Sequence, residues 1–379
     1  MTTTAPRVCV IGGGIIGLSC AWQLLRSDCA VTLLDPAPGT GATHAAAGMI
    51  TPASEATFGQ EALLRASLAS AAAWPGFVTA LASDSGHRLD LVRRGTLFVA
   101  ADHDDEAALN RHAQLLERHQ RPVERLAARS SRRLEPALSP RLAGSLLIEE
   151  ESSVDPRQIV RALLAAITRA GGVVRPAMGR PLMSGDRVVG AVTASGEVHP
   201  ADVTLLATGW QTPEVAEGLG LTRSIRPLKG QILRLRSASV DPLHRTIRAL
   251  VHGRFVYLVP RPGDEIVVGA TSEDVGPDSS VTAGAVHDLL HDAIEVVPEL
   301  AEAGVVESVA RLRPATADNL PLVGPAGPDG LLVAAGHGRD GILLAPLTAA
   351  TVTAHVLGHP LPEDAGCFAA NRFHDKERS

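Results

Sequence analysis

Residues 12–17 read GGGIIG, set inside RVCVIGGGIIGLSCAWQLLRSDCAVTLLDP. Glycines at 12, 14 and 17 satisfy G-x-G-x-x-G: Gly12 permits a tight turn, Gly14 lets backbone approach a pyrophosphate, and Gly17 allows a helix to press on a strand. Asp35 lies eighteen residues beyond Gly17, where a carboxylate can accept both hydroxyl hydrogens of an adenosine ribose while the pyrophosphate takes the positive end of the helix. An acid at this position disfavours NADP and leaves NAD and FAD open. Near the other end, GLLVAAGHGRDGILLAPLTAATVTAHVLG predicts strand, glycine-rich turn and helix. A helix opening at Gly341 would aim its free N–H groups at whatever precedes it, which suits the flavin edge that gains negative charge on reduction. Cys9, Cys20, Cys29 and Cys367 form no C-x-x-C and have no histidine at ligand spacing, so neither a metal site nor a disulfide framework is expected.

The elements that must position these residues are legible from periodicity. Val8 to Ile11 predicts a buried parallel strand, Leu18 to Arg26 a helix, and Val31 to Leu34 a second strand, a complete βαβ unit. GTGATHAAAGMITP follows as a loop of small residues that lets backbone approach a ligand. Residues 61–82 and 104–128 carry helical periodicity, RRGTLFVAAD and GSLLIEE alternate as strands, and DPRQIVRALLAAITRAGGVV is a helix followed by a strand. VVGAVTASGEVHPADVTLLATGW predicts a hairpin leading into a buried strand at Val203 to Ala207. From RPLKGQILRLR through FVYLVPRPGDEIVVGATSED, β-branched residues at strand length predict an antiparallel sheet of a second domain. The expected fold is therefore α/β: a Rossmann-like nucleotide-binding domain from residues 1–80, 150–222 and 318–379, interleaved with an antiparallel-sheet α+β substrate domain from 81–149 and 223–317.

With 379 residues, 45% hydrophobic and 20% charged, the chain can bury two cores and is neither disordered nor fibrous. A net charge of −6 and only 3% aromatic residues give no basic stripe and no stacking platform, so no nucleic-acid partner is expected. The uncharged stretch 341–358 contains Pro346, His355 and three threonines, which predicts a buried helix rather than a membrane span. No targeting segment is read, and a reducing, cytoplasmic setting is expected. Basic residues are almost all arginine, with only Lys229 and Lys376 as lysines, so a single surface arginine carries little information.

The pieces VIGGGIIGL, DP, THAAAGM, LLATGW, RPLKGQILRL, VYLVPR, IVVGAT, LRPATADNLPLVGP and AAGHGRDGILLAP stand in the order and spacing of the D-amino-acid oxidase family, and over nearly its whole length the chain resembles that family's glycine-oxidising members. The resemblance implies FAD held without a covalent bond, since Cys367 lies beyond the flavin-facing turn. It implies oxidation of glycine or a similar small amino acid to its imine, then glyoxylate and ammonia, with molecular oxygen as acceptor and hydrogen peroxide as co-product. It further implies service to the thiazole branch of thiamine biosynthesis, with thiazole synthase as an acceptor of the imine, and a homotetramer. On this resemblance Gly12, Gly14, Ile15, Ile16, Gly17, Asp35, Thr43, His44, Ala47, Gly48, Met49, Arg180, Thr208, Gly209, Gly338, Asp340, Gly341, Ile342 and Leu343 surround the cofactor. Arg313 becomes the carboxylate clamp, because a planar guanidinium can meet a carboxylate with two parallel hydrogen bonds; Tyr257, the only tyrosine, adds a hydroxyl donor, and Arg339 joins them. Lys229 would support the flavin or the oxygen step. Gly338 and Asp340 replace the aromatic residue and asparagine common in the family's turn, and Phe255 and Ser272 replace a histidine and a methionine. These departures imply a pocket broader than glycine requires. Oxidation of another small amine, such as sarcosine or a D-amino acid, and an FAD-binding dehydrogenase subunit without oxidase activity remain open alternatives.

Overall fold

A computed structural model describes residues 5–219, 225–236 and 243–373. A six-stranded sheet runs in the order Leu322–Pro325, Leu331–Ala335, Val203–Leu206, Arg7–Ile11, Ala30–Leu34, Val173–Arg175. Its strands are parallel except for the antiparallel edge strand Leu322–Pro325. Because strand side chains alternate, Val8, Val10, Val31, Leu33 and Leu205 pack under helices on one face, while Cys9, Ile11, Leu34 and Leu206 face the small sheet of Gly179–Ser184, Arg187–Thr193 and Val198–Pro200. The helices are Ile15–Arg26, Glu61–Ser85, Pro156–Arg169 and Ala345–Leu357. Helix Pro156–Arg169 shows why such segments start where they do: Asp155 accepts the Arg157 N–H at 2.9 Å and Pro156 fills the first turn, where no donor is needed.

The second sheet has eight strands, in the order Gly304–Thr316, Ile225–Arg236, Glu265–Gly269, Arg254–Arg261, Thr246–Val251, Thr96–Ala100, Gly144–Ile148, Glu124–Ala127. One face is closed by helix Ala283–Val296 through Leu289, Ala293 and Val296. The other face turns towards segment 42–50, where Ala45, Ala47 and Met49 meet Ile232, Tyr257, Val259, Val267 and Val309. The candidate site lies at this second interface.

Several expectations are corrected. The first helix begins at Ile15, three residues early. The expected loop after the βαβ unit contains a short helix, Ala42–Ala45, and a strand, Met49–Ile50, paired with Ser152–Ser153. Residues 104–128 are not one helix: it stops at Arg118, the chain reverses at Gln120 with φ +55°, and Glu124–Ala127 then joins the second sheet. Pro122 cannot donate into a continuing helix. The regular helix expected from Gly341 starts instead at Ala345, although the Leu344 N–H already donates to Asp340 O at 2.8 Å. Helix Glu61–Ser85 crosses the expected boundary at residue 80, and Trp74, Phe77, Val78 and Leu81 all belong to the core of the six-stranded sheet. We propose that the two sheets mark two domains and that this boundary falls at residue 85; the boundary at 222 lies outside the described residues, as does Lys376. No helix among the described residues is long and apolar enough to cross a membrane.

Candidate active site

The three glycines of the opening motif do three different jobs. Gly12 has φ +107°, and a Cβ there would stand 2.6 Å from Ala207 C. A Cβ on Gly17 would be 3.0 Å from Gly12 C, so the helix presses on the turn backbone only because Gly17 lacks a side chain. Gly14 has open space save for Thr43 Oγ1, 3.6 Å from the position of a Cβ. Thr43 Oγ1 accepts the Ile15 N–H at 3.0 Å, which leaves its own proton to donate. Asp35 accepts the Gly13 N–H at 2.6 Å and the Ala37 N–H at 2.7 Å, which fixes its carboxylate at the end of strand Ala30–Leu34. Gly48, with φ +72°, passes so near Val154 O and Pro156 that no side chain fits. Gly209 turns at φ +61°, beside Thr208, whose hydroxyl meets that of Thr212 at 3.0 Å. Ile16 is buried behind the turn. Arg180 is exposed, but Gly179 before it packs on Leu34 and Ile11, so the residue stands beside the ends of both central strands.

At the far turn, the N–H groups of Gly341, Ile342 and Leu343 donate to no group among the described residues, and Ile342 and Leu343 are buried. Such buried orphan donors need an acceptor. Together with the glycine-cleared path at Gly12 and Gly14, they fit a dinucleotide whose flavin carries a carbonyl edge. The His44 Nε2 lies 3.2 Å from Glu307 Oε1 and 2.9 Å from Arg157 Nη2, and its carbonyl accepts from Arg157 Nε at 3.1 Å, so its side chain is tied to the Glu307 cluster. Arg157 also reaches Glu307 at 2.8 Å, and Arg234 pairs with both Glu307 and Glu265. Burial works against the Glu307 carboxylate, but Arg157 and His44 hold it below the usual carboxylate range. This cluster ties segment 44–47 to the second sheet.

On the same sheet face, at the other end, Arg313 and Tyr257 come together. Strand register puts residues 228, 230 and 232 on one side with 309, 311 and 313 opposite them, and Ile232, Gly269 and Tyr257 in one cross-strand row. Arg313 lies flat over Gly230, where a Cβ would be 2.6 Å from its Nη1, and donates from Nη1 to Thr271 O at 3.0 Å. Tyr257 lies flat over Gly269, where a Cβ would be 2.8 Å from its Cε2. Both side chains are half-buried. Burial pushes the tyrosine hydroxyl up to about 12, so it stays a proton donor, and burial also draws the Arg313 guanidinium down from its ordinary value. Arg339 is exposed in the turn above and lines a small pocket with Glu55, Gln60, Asp340 and Leu343. Burial pushes the Asp340 carboxyl up, as does neighbouring Glu55. At Gly338, φ is +55° and nothing lies within 4 Å of the position of a Cβ, so the turn leaves open space there.

Lys229 is a correction. As the neighbour of Gly230 it points through the opposite face of the sheet, where it is buried with Asp278 at 2.6 Å and Glu273 at 3.7 Å. Its role is to hold the segment 273–278 against the strand. Ser272 is exposed, and Phe255 is 55% exposed on the Tyr257 side.

Arg248 and the groups around it escaped sequence reasoning. Arg248 is directly opposite Tyr257 in the sheet, buried between Phe98 and Phe255 with its Cζ 4.9 and 4.7 Å from their ring centroids. It donates to Ser54 O and lies 3.8 Å from Glu55. Segment 51–57 that carries Glu55 is held by buried Glu151, which accepts the Ala53 and Ser54 N–H groups at 3.0 and 2.6 Å, and by His112 on Ala53 O at 3.0 Å. The available signal was a lone charge inside the apolar strand TIRALV.

A glycine-cleared dinucleotide path against a parallel sheet, beside a glycine-floored guanidinium and phenol, defines a flavin-dependent oxidoreductase. The chain belongs to the DAO family, FAD dependent oxidoreductase, which matches residues 7–355. It is 32% identical over 319 residues to the glycine oxidase of Geobacillus kaustophilus, covering 84% of this chain and 83% of that protein. The crystal structure of that enzyme superposes with a TM-score of 0.88 at 31% identity, over 97% of this chain and 99% of the other. The bifunctional protein ThiO/ThiG of Trichormus variabilis is 30% identical over 97% of this chain and 55% of its own length. Iminodiacetate oxidase from Chelativorans sp. BNC1 matches with a TM-score of 0.86 at 26% identity, over 96% and 98% of the two chains. The protein is thus an FAD-dependent amino-acid oxidase.

Proposed function

We propose that the chain oxidises glycine or a similarly small amino acid to its imine, which water converts to glyoxylate and ammonia, while oxygen is reduced to hydrogen peroxide. The observation that carries this reading is the pair Arg313 and Tyr257 laid flat on Gly230 and Gly269. Their donors face the side from which segment 42–50 and the 338–344 turn approach. Bound FAD supplies the two-electron acceptor. Arg313 takes both carboxylate oxygens and Tyr257 donates to one of them, which fixes the substrate Cα in a single orientation. A substrate whose amine arrives neutral needs no protein base for loss of hydrogen from Cα, so the chain's contribution is positioning and exclusion of water.

The reading extends to the other residues. Gly12, Gly14, Ile15, Ile16, Gly17, Thr43, Thr208 and Gly209 line the diphosphate path, Asp35 takes the ribose and Arg180 the adenine side. Ala47, Gly48, Met49 and Gly338 to Leu343 surround the flavin. FAD is held without a covalent bond: Cys367 is packed against the core beside Phe368 with its thiol on Asp364 O. The names of the ThiO/ThiG relatives support thiamine biosynthesis as the setting and thiazole synthase as a partner; a cytoplasmic homotetramer completes the proposal. The test is peroxide release from the purified protein with glycine, sarcosine, N-ethylglycine and D-alanine, alongside formation of the oxo acid. Absence of peroxide with reduction of an artificial acceptor would replace oxidase with dehydrogenase.

A further inference from the structure

Arg248 has no part in the clamp, yet it stands on the same sheet face, one strand beyond Tyr257. Its surroundings are built for a cation. Phe98 opposes it in the neighbouring strand and Phe255 flanks it, so the guanidinium is sandwiched between two rings. Among the described residues it makes one hydrogen bond, from Nη1 to Ser54 O, and its other N–H groups donate to nothing. Glu55, at 3.8 Å, is beyond hydrogen-bond reach, and it turns its other oxygen to the Thr51 hydroxyl at 3.3 Å.

The charge count is unbalanced. Arg248, Arg313 and Arg339 gather around Glu55 and Asp340, and Glu55 weighs on all three guanidinium groups. Burial and Glu55 together oppose ionisation of Asp340. With Asp340 protonated, an α-carboxylate on Arg313 and the Glu55 carboxylate leave one of the three guanidinium groups without a counter-ion beside segment 51–57. Buried charges without partners are costly. Adjacent strands are about 4.8 Å apart, and Tyr257 reaches one strand towards Arg313 while Arg248 stands one strand the other way. The gap from the Tyr257 hydroxyl, over Gly269, to Arg248 is about two strand spacings, roughly 10 Å, which a ligand with two carboxylates some 5 Å apart can bridge once the hydrogen-bond lengths at both ends are added; the Arg313 guanidinium, over Gly230, stands one spacing further away, on the far side of the α-carboxylate.

We propose that Arg248 forms a distal anion subsite, so that the preferred substrates are amino acids bearing a second carboxylate, on the nitrogen or on a short side chain. The proposal rests on the reading that Arg313 and Tyr257 hold the α-carboxylate. The experiment pairs each dicarboxylic substrate with its neutral counterpart in the FAD-loaded enzyme: N-carboxymethylglycine with sarcosine, and D-glutamate with D-alanine. The two pairs separate a carboxylate on nitrogen from one on the side chain. The expected result is kcat/KM at least tenfold higher for the dicarboxylic member of one pair, and a fall of at least tenfold in that ratio in Arg248→Met, with Arg248→Lys recovering part. A ratio near one in the wild-type protein, or one unchanged in Arg248→Met, overturns the proposal, the latter leaving Arg248 as an anchor for segment 51–57. A binding measurement stands apart from turnover. Glutarate should perturb the flavin absorption at tenfold lower concentration than butyrate, and Arg248→Met should abolish the difference. If that holds while no substrate yields product, the subsite stands and the oxidase reading fails; if butyrate binds as well as glutarate, the subsite is refuted whatever the turnover.

Discussion

Gly230→Ala separates the carboxylate clamp from the stability of the sheet. A Cβ on Gly230 would stand 2.6 Å from Arg313 Nη1 and nearer still to Nη2 and Cζ. Non-bonded heavy atoms rest about 3.5 Å apart, so the guanidinium must retreat by roughly 1 Å or more. It can do so cheaply, because the colliding atoms end a flexible side chain, and Gly230 is not among the glycines with positive φ. Folding and FAD content are therefore expected to change little, with the melting temperature within a few degrees of wild type. Substrate binding is expected to suffer. A charge-assisted hydrogen bond contributes about 1.5 to 3 kcal/mol, so losing one of the two parallel bonds lowers kcat/KM roughly 10- to 150-fold. The assay is steady-state turnover of the best amino-acid substrate, run as a double-mutant cycle with Arg313→Ala. Arg313→Ala alone should cost more, and adding Gly230→Ala to it should cost nothing further. If Gly230→Ala retains kcat/KM within twofold, or if the two losses add, then Arg313 does not hold the carboxylate from above Gly230 and the clamp lies elsewhere.

Gly12→Ala, which sets a side chain against Ala207 at a φ of +107°, should lower both stability and FAD occupancy, read by flavin absorbance per chain; full occupancy would contradict the tight passage of backbone there. Acid precipitation should release intact FAD into the supernatant, and flavin retained in the pellet would refute non-covalent attachment. Burial raises the Glu151 carboxyl from 4.5 to about 7. A raised folded pKa gives stability that is fully present below the unfolded value and lost as pH rises through the folded one. Stability should therefore fall between about pH 4.5 and 7 by an amount on the order of 1 to 3 kcal/mol, and Glu151→Gln should flatten that slope in denaturant titrations; an unchanged slope would assign the effect to other groups. Gly338→Asn, chosen because asparagine tolerates a φ of +55°, should narrow the open space above the substrate and reduce N-ethylglycine turnover more than glycine turnover. Equal effects would place Gly338 away from the substrate.

The parts of the fold that sequence made legible are those set by local rules. The βαβ unit follows from a β-branched run, a glycine turn and an acid at a fixed spacing, and Gly12, Gly14 and Gly17 take up the three roles that spacing implies. Element ends were less visible. Pro122 and the left-handed Gln120 stop a helix whose periodicity continues on paper, and Trp74 and Leu81 carry helix Glu61–Ser85 past the point where composition changes. In the site, Arg313 and Tyr257 were reached only by resemblance, because nothing local says that residues 257 and 313 approach one another across intervening strands. Arg248 was hidden by the same non-local pairing and by an arginine-rich background. His44 and Lys229 illustrate the converse: each sits in a suggestive motif, yet long-range carboxylates, Glu307 and Asp278, claim their side chains.

The two bare positions beneath Arg313 and Tyr257 carry a consequence for how this protein can diversify. With Gly230 and Gly269 as a floor made of backbone, any side chain introduced from below displaces Arg313 and Tyr257, the groups proposed to hold the carboxylate. The periphery is free of that constraint. Gly338 overhead and Phe255 and Ser272 at the margins can vary in size and polarity while the amine and carboxylate of the ligand stay registered against the same plane. New substrate preferences should therefore arise by remodelling the rim and ceiling, with the floor left glycine.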